Sequence, residues 1–275
     1  MNKRQISVVF IAAALAAGCS DNDRPYTVLP APLDPMAVMQ PPPMDVAGTW
    51  YSKTVNNAVN CGMGEKVDAQ AIVITQNEAD ITMLMSTGDQ YVGLVNGDII
   101  EWSGSYFERG GTSNFTSATI VFSADAGSGN AAWTWSNGTD SCNGTMAIDV
   151  AKNLAQQESG TNSHPEVALP FDFVDGVSFW EGSVGNGLDR DDFFAFVAPA
   201  DGAVQAELSH FNTSASDLDL FLYDEDMNEL SASLTVDSFE KVEAAVAAGG
   251  TYYIKVETAS IAGVESYYLS VDFNE

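Results

Sequence analysis

Thirty-eight of the 275 residues are Asp or Glu, against ten Lys and Arg and two His. Any chemistry in this chain is therefore carboxylate chemistry first. Carboxylates work as acid/base pairs or as ligands for hard cations. The tightest grouping, Asp224-x-Asp226-x-Asn228, has the alternate oxygen spacing of a calcium loop. It lacks the glycine and the distal glutamate of an EF-hand, so it reads as a solvated hairpin turn. An acid/base pair of the glycosidase kind has nothing to distinguish it among so many surface charges. His164 stands beside Pro165 and His210 follows a strand pattern, and the chain has neither His-Glu-x-x-His nor Gly-x-Ser-x-Gly. Trp102, Trp133 and Trp135 could form a sugar-stacking platform, although large aromatics more often fill a core. The residues point away from an enzyme, and a cryptic hydrolase is the weakest reading.

The formal net charge of −28 makes the surface repel nucleic acid and anionic headgroups, so no nucleic-acid partner is expected. Apolar residues make up 45% of the chain, enough for packed cores, and the length has room for two domains.

Met1 to Arg4 is a short basic start, and Ile6 to Ala17 is an apolar run too short to span a bilayer stably. It ends in Leu15-Ala-Ala-Gly18-Cys19. This resembles the lipobox of bacterial lipoproteins, with Ala16 where that family most often has Leu. The resemblance implies that residues 1–18 are a signal peptide and that the Cys19 thiol is acylated. Ser20, rather than Asp, after the cysteine implies delivery to the outer membrane. The alternative is an ordinary signal peptide cleaved after an Ala-x-Ala-like site. Each buried CH₂ of an acyl chain contributes roughly 0.8 kcal/mol, so several chains anchor the protein without a transmembrane helix. Residues 19–45 hold seven of the ten prolines and read as an extended tether. At about 3.1 Å per residue it reaches up to roughly 80 Å from the lipid.

Behind the tether, residues 46–152 read as short strands with no helical periodicity. The candidates are Gly48–Ser52, Ala71–Gln76, Asp80–Met85, Tyr91–Val95, Asp98–Tyr106, Phe115–Phe122, Asn130–Trp135 and Gly144–Val150. Asn96-Gly97 marks a tight hairpin between two of them. Eight consecutive strands predict an up-and-down antiparallel β-barrel or meander, closure removing both sheet edges. Gly48-Thr-Trp-Tyr51 weakly resembles the opening of lipocalins and avidins, which implies an architecture and no ligand contacts. With Cys19 acylated, Cys61 and Cys142 remain, and an oxidising compartment pairs them. A disulfide closing a loop of roughly 80 residues contributes about 4–5 kcal/mol in the chain-entropy model. A metal site would need more ligands than these two.

Residues 153–166 are polar and read as a linker, and residues 167–275 return to strand patterns. Leu218, Leu220 and Leu222 alternate with Asp217, Asp219, Phe221 and Tyr223, and Asp224–Glu229 supplies the turn of a hairpin. Val204, Ala206 and Leu208 alternate with Gln205 and Glu207, and Gly249-Gly250 joins two further strands. About eight strands without a helix predict a β-sandwich.

Four motifs then occur in order: Asp191-Asp-Phe-Phe-Ala-Phe196, Asp217-Leu-Asp-Leu-Phe-Leu-Tyr-Asp224, Ala248-Gly-Gly-Thr-Tyr-Tyr-Ile254 and Tyr267-Tyr-Leu-Ser-Val271. Together they resemble the bacterial pre-peptidase C-terminal domain, a jelly-roll-like sandwich usually appended to secreted peptidases. Relatives in collagenases bind collagen and calcium. The resemblance implies a Ca²⁺ site in which linker residues Glu158 and Asn162 meet Asp189 and Asp191, with Gly160 where a second linker carboxylate would stand. A small β-domain replaces the peptidase, so proteolysis does not carry over. The whole reads as an all-β, lipid-anchored envelope protein that binds an unknown protein or glycan partner. The alternative is a carrier holding a small apolar ligand inside the first domain.

Overall fold

The computed structural model describes residues 41–60, 65–108, 110–158, 160, 162–185, 189–210, 217–259 and 263–275. Residues 1–18, expected as a signal peptide, Cys19, most of the expected tether and Cys61 lie outside the described residues. Among the described residues the fold is all-β, its helical content a single 3₁₀ turn at Pro165–Val167.

The first eight strands form a closed antiparallel barrel in sequence order. They are β1 (Gly48–Val59), β2 (Glu65–Asn77), β3 (Asp80–Met85), β4 (Gln90–Asn96), β5 (Ile99–Glu108), β6 (Gly111–Ser123), β7 (Ala126–Ser136) and β8 (Ser141–Ala151). The β1–β8 pairing supplies closure, so neither sheet edge is left open. Gly97 takes φ 64° in the two-residue loop between β4 and β5, a conformation that favours glycine.

The inward face of the barrel is filled by its own side chains. Trp50 is fully buried, donates its indole N–H to the Val46 carbonyl at 2.8 Å, and meets Phe122 edge-to-face at 4.7 Å. Ile72, Ile74, Ile81, Met83, Ile100 and Ile120 pack around it. Lower down, a side chain at Gly104 would collide with the Tyr91 ring, and one at Gly144 with the Trp133 indole. Glycines here make room for rings, which is how a barrel of this strand number fills its interior. That packing argues against the carrier reading, which needs a hollow barrel. It also explains Trp102 and Trp133: the first packs against the core cluster near Phe115, and the second hydrogen-bonds Asn56 at 2.7 Å. For these two the sugar-platform reading gives way to ordinary core packing.

Ten further strands build two five-stranded sheets. They are β9 (Gln156–Gln157), β10 (Leu169–Pro170), β11 (Val177–Gly185), β12 (Asp191–Val197), β13 (Gly202–Ser209), β14 (Leu218–Tyr223), β15 (Glu229–Ser233), β16 (Phe239–Val246), β17 (Thr251–Thr258) and β18 (Val264–Asn274). One sheet runs β10-β12-β17-β14-β15 and the other β16-β13-β18-β11-β9. Between them Leu218, Leu220 and Leu222 of β14 are completely buried with Phe194, Leu208, Ile254 and Leu269. Strand alternation turns Asp219, Phe221 and Tyr223 outward.

Barrel and sandwich belong to one compact unit, Gln40–Glu275. The small side chains of Ala69 and Ala71 let β2 lie against β11 and β18, where Tyr51, Val177 and Phe179 complete an apolar cluster. Around it the contact is polar. Gln205, Glu207 and Asp272 are each 1–2% exposed, on the face of their sheet turned away from the sandwich core. Glu207 pairs with Lys241 at 3.1 Å and accepts from the Ser86 hydroxyl at 3.1 Å. Lys66 donates to Gln205 at 3.1 Å and pairs with Asp68 at 3.1 Å. The alternation of Val204, Ala206 and Leu208 with Gln205 and Glu207 thus separates two buried faces, one apolar and one polar.

Candidate functional site

The linker after the barrel crosses the end of the sandwich from one sheet to the other. Gln156 and Gln157 pair in parallel with Trp180 and Glu181 of β11, and the Glu158 N–H donates to the Glu181 carbonyl at 2.8 Å. Four residues later, Asn162 has joined the opposite sheet. Its carbonyl accepts from the Phe193 N–H at 2.8 Å and its side-chain amide donates to the Phe193 carbonyl at 3.3 Å. Between them Gly160 takes φ 68°, and its N–H donates to the Glu158 carboxylate.

This crossing gathers carboxyls at the sandwich end. Asp192 is fully buried and accepts from the Tyr267 hydroxyl at 2.6 Å. Burial, reinforced by the charges of Glu158, Asp189 and Asp191, pushes its carboxyl up to about 8 despite that hydrogen bond. Burial raises Glu158 as well, with a contribution from Asp189, and it raises Asp189 itself. Asn162 is fully buried too, and the Oδ1 atoms of Asn162 and Asp192 have no hydrogen-bond partner among the described residues. Such atoms are costly unless something meets them.

The expected set is thereby redrawn. Glu158, Asn162 and Asp189 come to this end of the sandwich, but Asp191 does not face them. It sits on the opposite face of β12, 3.3 Å from Lys255, and Asp192 takes the inward position. The signal was present in the sequence: Asp192 alternates in phase with Phe194 and Phe196, which are core residues. Tyr267 was missed because nothing in a strand pattern says which buried tyrosine has a carboxylate neighbour. The donors are hard oxygens of the kind calcium takes. Among the described residues, however, no three acidic, His or Cys side chains are grouped closely enough to hold a metal ion as they stand. The fit is one of donor chemistry, without a ready-made cage.

A second feature occupies the outer face of the other sheet. Lys255 of β17 lies 5.3 Å from the centre of the Phe221 ring and 5.8 Å from that of Phe193. It pairs with Glu257 at 2.5 Å and Asp191 at 3.3 Å. Phe221 stacks on Tyr223 at 5.9 Å, and Tyr253 stands directly opposite Tyr223 in register. The half-buried Phe221, Tyr223 and Tyr253 and the buried Phe193 surround a fixed ammonium, with carboxylates at one side, and make an amphipathic patch. Asp219 stands on the same face. Burial, with Asp217, Glu240 and Glu257 close by, raises its carboxyl to about 6.

The remaining expectations fall as follows. Asp224 accepts from the N–H groups of Asp226 and Asn228 at 3.0 and 2.8 Å and from the Asn228 side chain at 2.9 Å. These bonds hold its carboxyl below the usual range, as a closed turn would. His210 is buried beside Glu265 at 3.8 Å, and His164 precedes the 3₁₀ turn. Cys142, the second residue of β8, lies opposite Trp135.

Residues 190–258 match the family described as the bacterial pre-peptidase C-terminal domain. Among solved structures, one similar to this chain is the pre-peptidase C-terminal domain of a collagenase from Bacillus anthracis. It is 19% identical, covering 40% of this chain and all of that one, with a TM-score of 0.34. The chain is also similar to PliG of Aeromonas hydrophila, a periplasmic inhibitor of g-type lysozyme, at 15% identity, 39% and 96% coverage and a TM-score of 0.30. A third is the Yersinia pseudotuberculosis-derived mitogen, at 16% identity, 36% and 86% coverage and a TM-score of 0.27. The family match places a bacterial pre-peptidase C-terminal domain within the C-terminal sandwich, at residues 190–258.

Proposed function

We propose that this protein is a lipid-anchored component of a bacterial envelope whose sandwich works as a non-catalytic binding module, docking a protein or glycan partner on its outer aromatic sheet face. The observation that carries the reading is the setting of Lys255, fixed between Phe193 and Phe221 and tied to Asp191 and Glu257. A lysine held this way has already lost its rotamer freedom, and rigid aromatic neighbours give contact area at little further entropic cost. In this account the anchor is an acylated Cys19, carried by the Gly18-Cys19 junction, with the proline-rich tether holding the module away from the lipid. A Cys61–Cys142 disulfide would brace the barrel. The register supports it, since Val59 at the end of β1 pairs with Asn143, the neighbour of Cys142. Calcium would act at the linker crossing, with Glu158, Asp189, Asp192 and Asn162 as oxygen donors and the joint between barrel and sandwich as what it stiffens.

The docking reading is tested by comparing partner capture from envelope extract by the full chain and by a Phe221→Ala/Tyr223→Ala variant. Capture that depends on the two rings supports it, and identical capture by both removes it.

A further inference from the structure

The seam between barrel and sandwich is open beside the segment that joins β10 to β11. A cleft of about 570 Å³ lies there, lined from both sides. Its floor is a row of outward positions across the barrel. Val121 pairs with Ser128, Ser128 with Asp149, and Asp149 with Lys53, so an apolar chain, a hydroxyl, a carboxylate and an ammonium stand side by side. The facing wall carries Val174, Asp175 and Val177, with Leu154 and Asp172 completing the lining. Val121, Leu154 and Val174 are 50, 47 and 71% exposed, so the described residues leave this apolar surface uncovered.

The charges in the cleft do not balance. Lys53, 3.9 Å from Asp175, is the one cation of the lining among the described residues, against the carboxylates of Asp149, Asp172 and Asp175. On the other side of the same segment a second cleft of about 480 Å³ shares Asp172 and adds Glu65 and Glu275, with no Lys or Arg in its lining. Low-dielectric walls that carry one sign of charge concentrate ligands of the opposite sign. An anion entering here would meet only repulsion beyond Lys53, and a neutral apolar molecule would leave the acids unmet.

We propose that the larger cleft binds a small organic cation, an amine whose ammonium lies among Asp149, Asp172 and Asp175 while its apolar body covers Val121, Leu154 and Val174. The volume falls within the range of small-molecule sites, which favour domain interfaces. This site is independent of the aromatic sheet face and of the linker carboxyls.

The test is isothermal titration of the full chain with three probes sharing one apolar body: 4-phenylbutylammonium, 4-phenylbutanol and 4-phenylbutanoate. The ammonium is expected to bind at least about tenfold tighter than the alcohol, and the carboxylate not at all. Asp149→Asn with Asp175→Asn, both at the surface, is expected to weaken the ammonium about tenfold and leave the alcohol unchanged. Val174→Ser is expected to weaken both. Equal affinity for ammonium and alcohol would overturn the proposal, as would no ammonium binding at millimolar concentration. It would also be overturned if removing two distant charges, Glu225→Gln with Asp237→Asn, weakened the ammonium as much as the cleft variant does.

Discussion

Asn274 and Val67 pair in both directions: the Val67 N–H donates to Asn274 Oδ1 at 2.6 Å, and Asn274 Nδ2 donates to the Val67 carbonyl at 3.0 Å. A side-chain amide from the last strand of the sandwich therefore stands in for a neighbouring strand along β2 of the barrel. Asn274→Ala removes both bonds and leaves a half-buried N–H and carbonyl to find water. A cost of about 1–3 kcal/mol follows for partners stranded in this way. The measurement is denaturant unfolding, where the variant is expected to shift the midpoint downward. An unchanged midpoint would mean that the amide pair adds nothing to the seam.

The buried polar layer predicts a pH dependence with a definite sign. Burial raises Glu207 and Asp272 above the usual carboxylate range, opposed in each case by Lys241 and, for Asp272, also by Lys66. A carboxyl raised in the folded state binds more protons there than in the unfolded chain. Stability is then fully present below the unfolded-state carboxylate values of about 4 and is lost as pH rises from there through the folded-state values. Melting temperature is expected to fall from pH 5 to pH 9, and Glu207→Gln is expected to flatten that slope. A steeper slope in the variant would contradict the assignment.

Asp192 adds a second, separable contribution. Its carboxyl, at about 8, is neutral at pH 5 and charged at pH 9, beside Glu158 and Asp189. Calcium requires the deprotonated form, so its stabilising effect should appear only on the alkaline side. In millimolar calcium against chelator, the full chain is expected to melt alike at pH 5 and higher with calcium at pH 9. Asp192→Asn is expected to abolish the difference, whereas Asp191→Asn is expected to keep it. Identical melting in calcium and chelator at pH 9 would leave these carboxyls as a purely electrostatic feature.

The proposed anchor and the proposed disulfide have simpler readouts. Cys19→Ala is expected to move the protein from the membrane to the soluble fraction. Non-reducing peptide mapping of the exported protein is expected to link Cys61 to Cys142. A Cys19→Ala variant still in the membrane, or two free thiols, would remove the corresponding element.

Much of the fold was legible because each half keeps a strict period of two. Asp80–Met85 was expected as a strand and is one, residue for residue. The strand expected at Ala71–Gln76 instead begins at Glu65. Its first residues, Glu65 to Gln70, are mostly polar and resemble loop because their partners are polar groups of the sandwich, contributed from some 140–200 residues away. The same cause hid the second buried face of β13. At the linker crossing, the family resemblance implied Glu158, Asn162, Asp189 and Asp191, but choosing between Asp191 and Asp192 required phasing β12 against its phenylalanines. Tyr267 became visible only once the sheets were stacked.

The central claim is that the aromatic face around Lys255 docks a partner. It is tested most directly by quantitative capture from envelope extract, using the immobilised full chain beside Phe221→Ala/Tyr223→Ala, with melting temperature confirming that the variant is folded. Both rings lie outside the buried core, so the fold should survive their loss, and residues at the centre of a binding face commonly cost 2 kcal/mol or more when truncated, roughly thirtyfold in affinity. The account predicts a protein or glycan species retained by the wild-type chain and reduced at least about tenfold on the variant. Retention of the same species at the same level by both would contradict it.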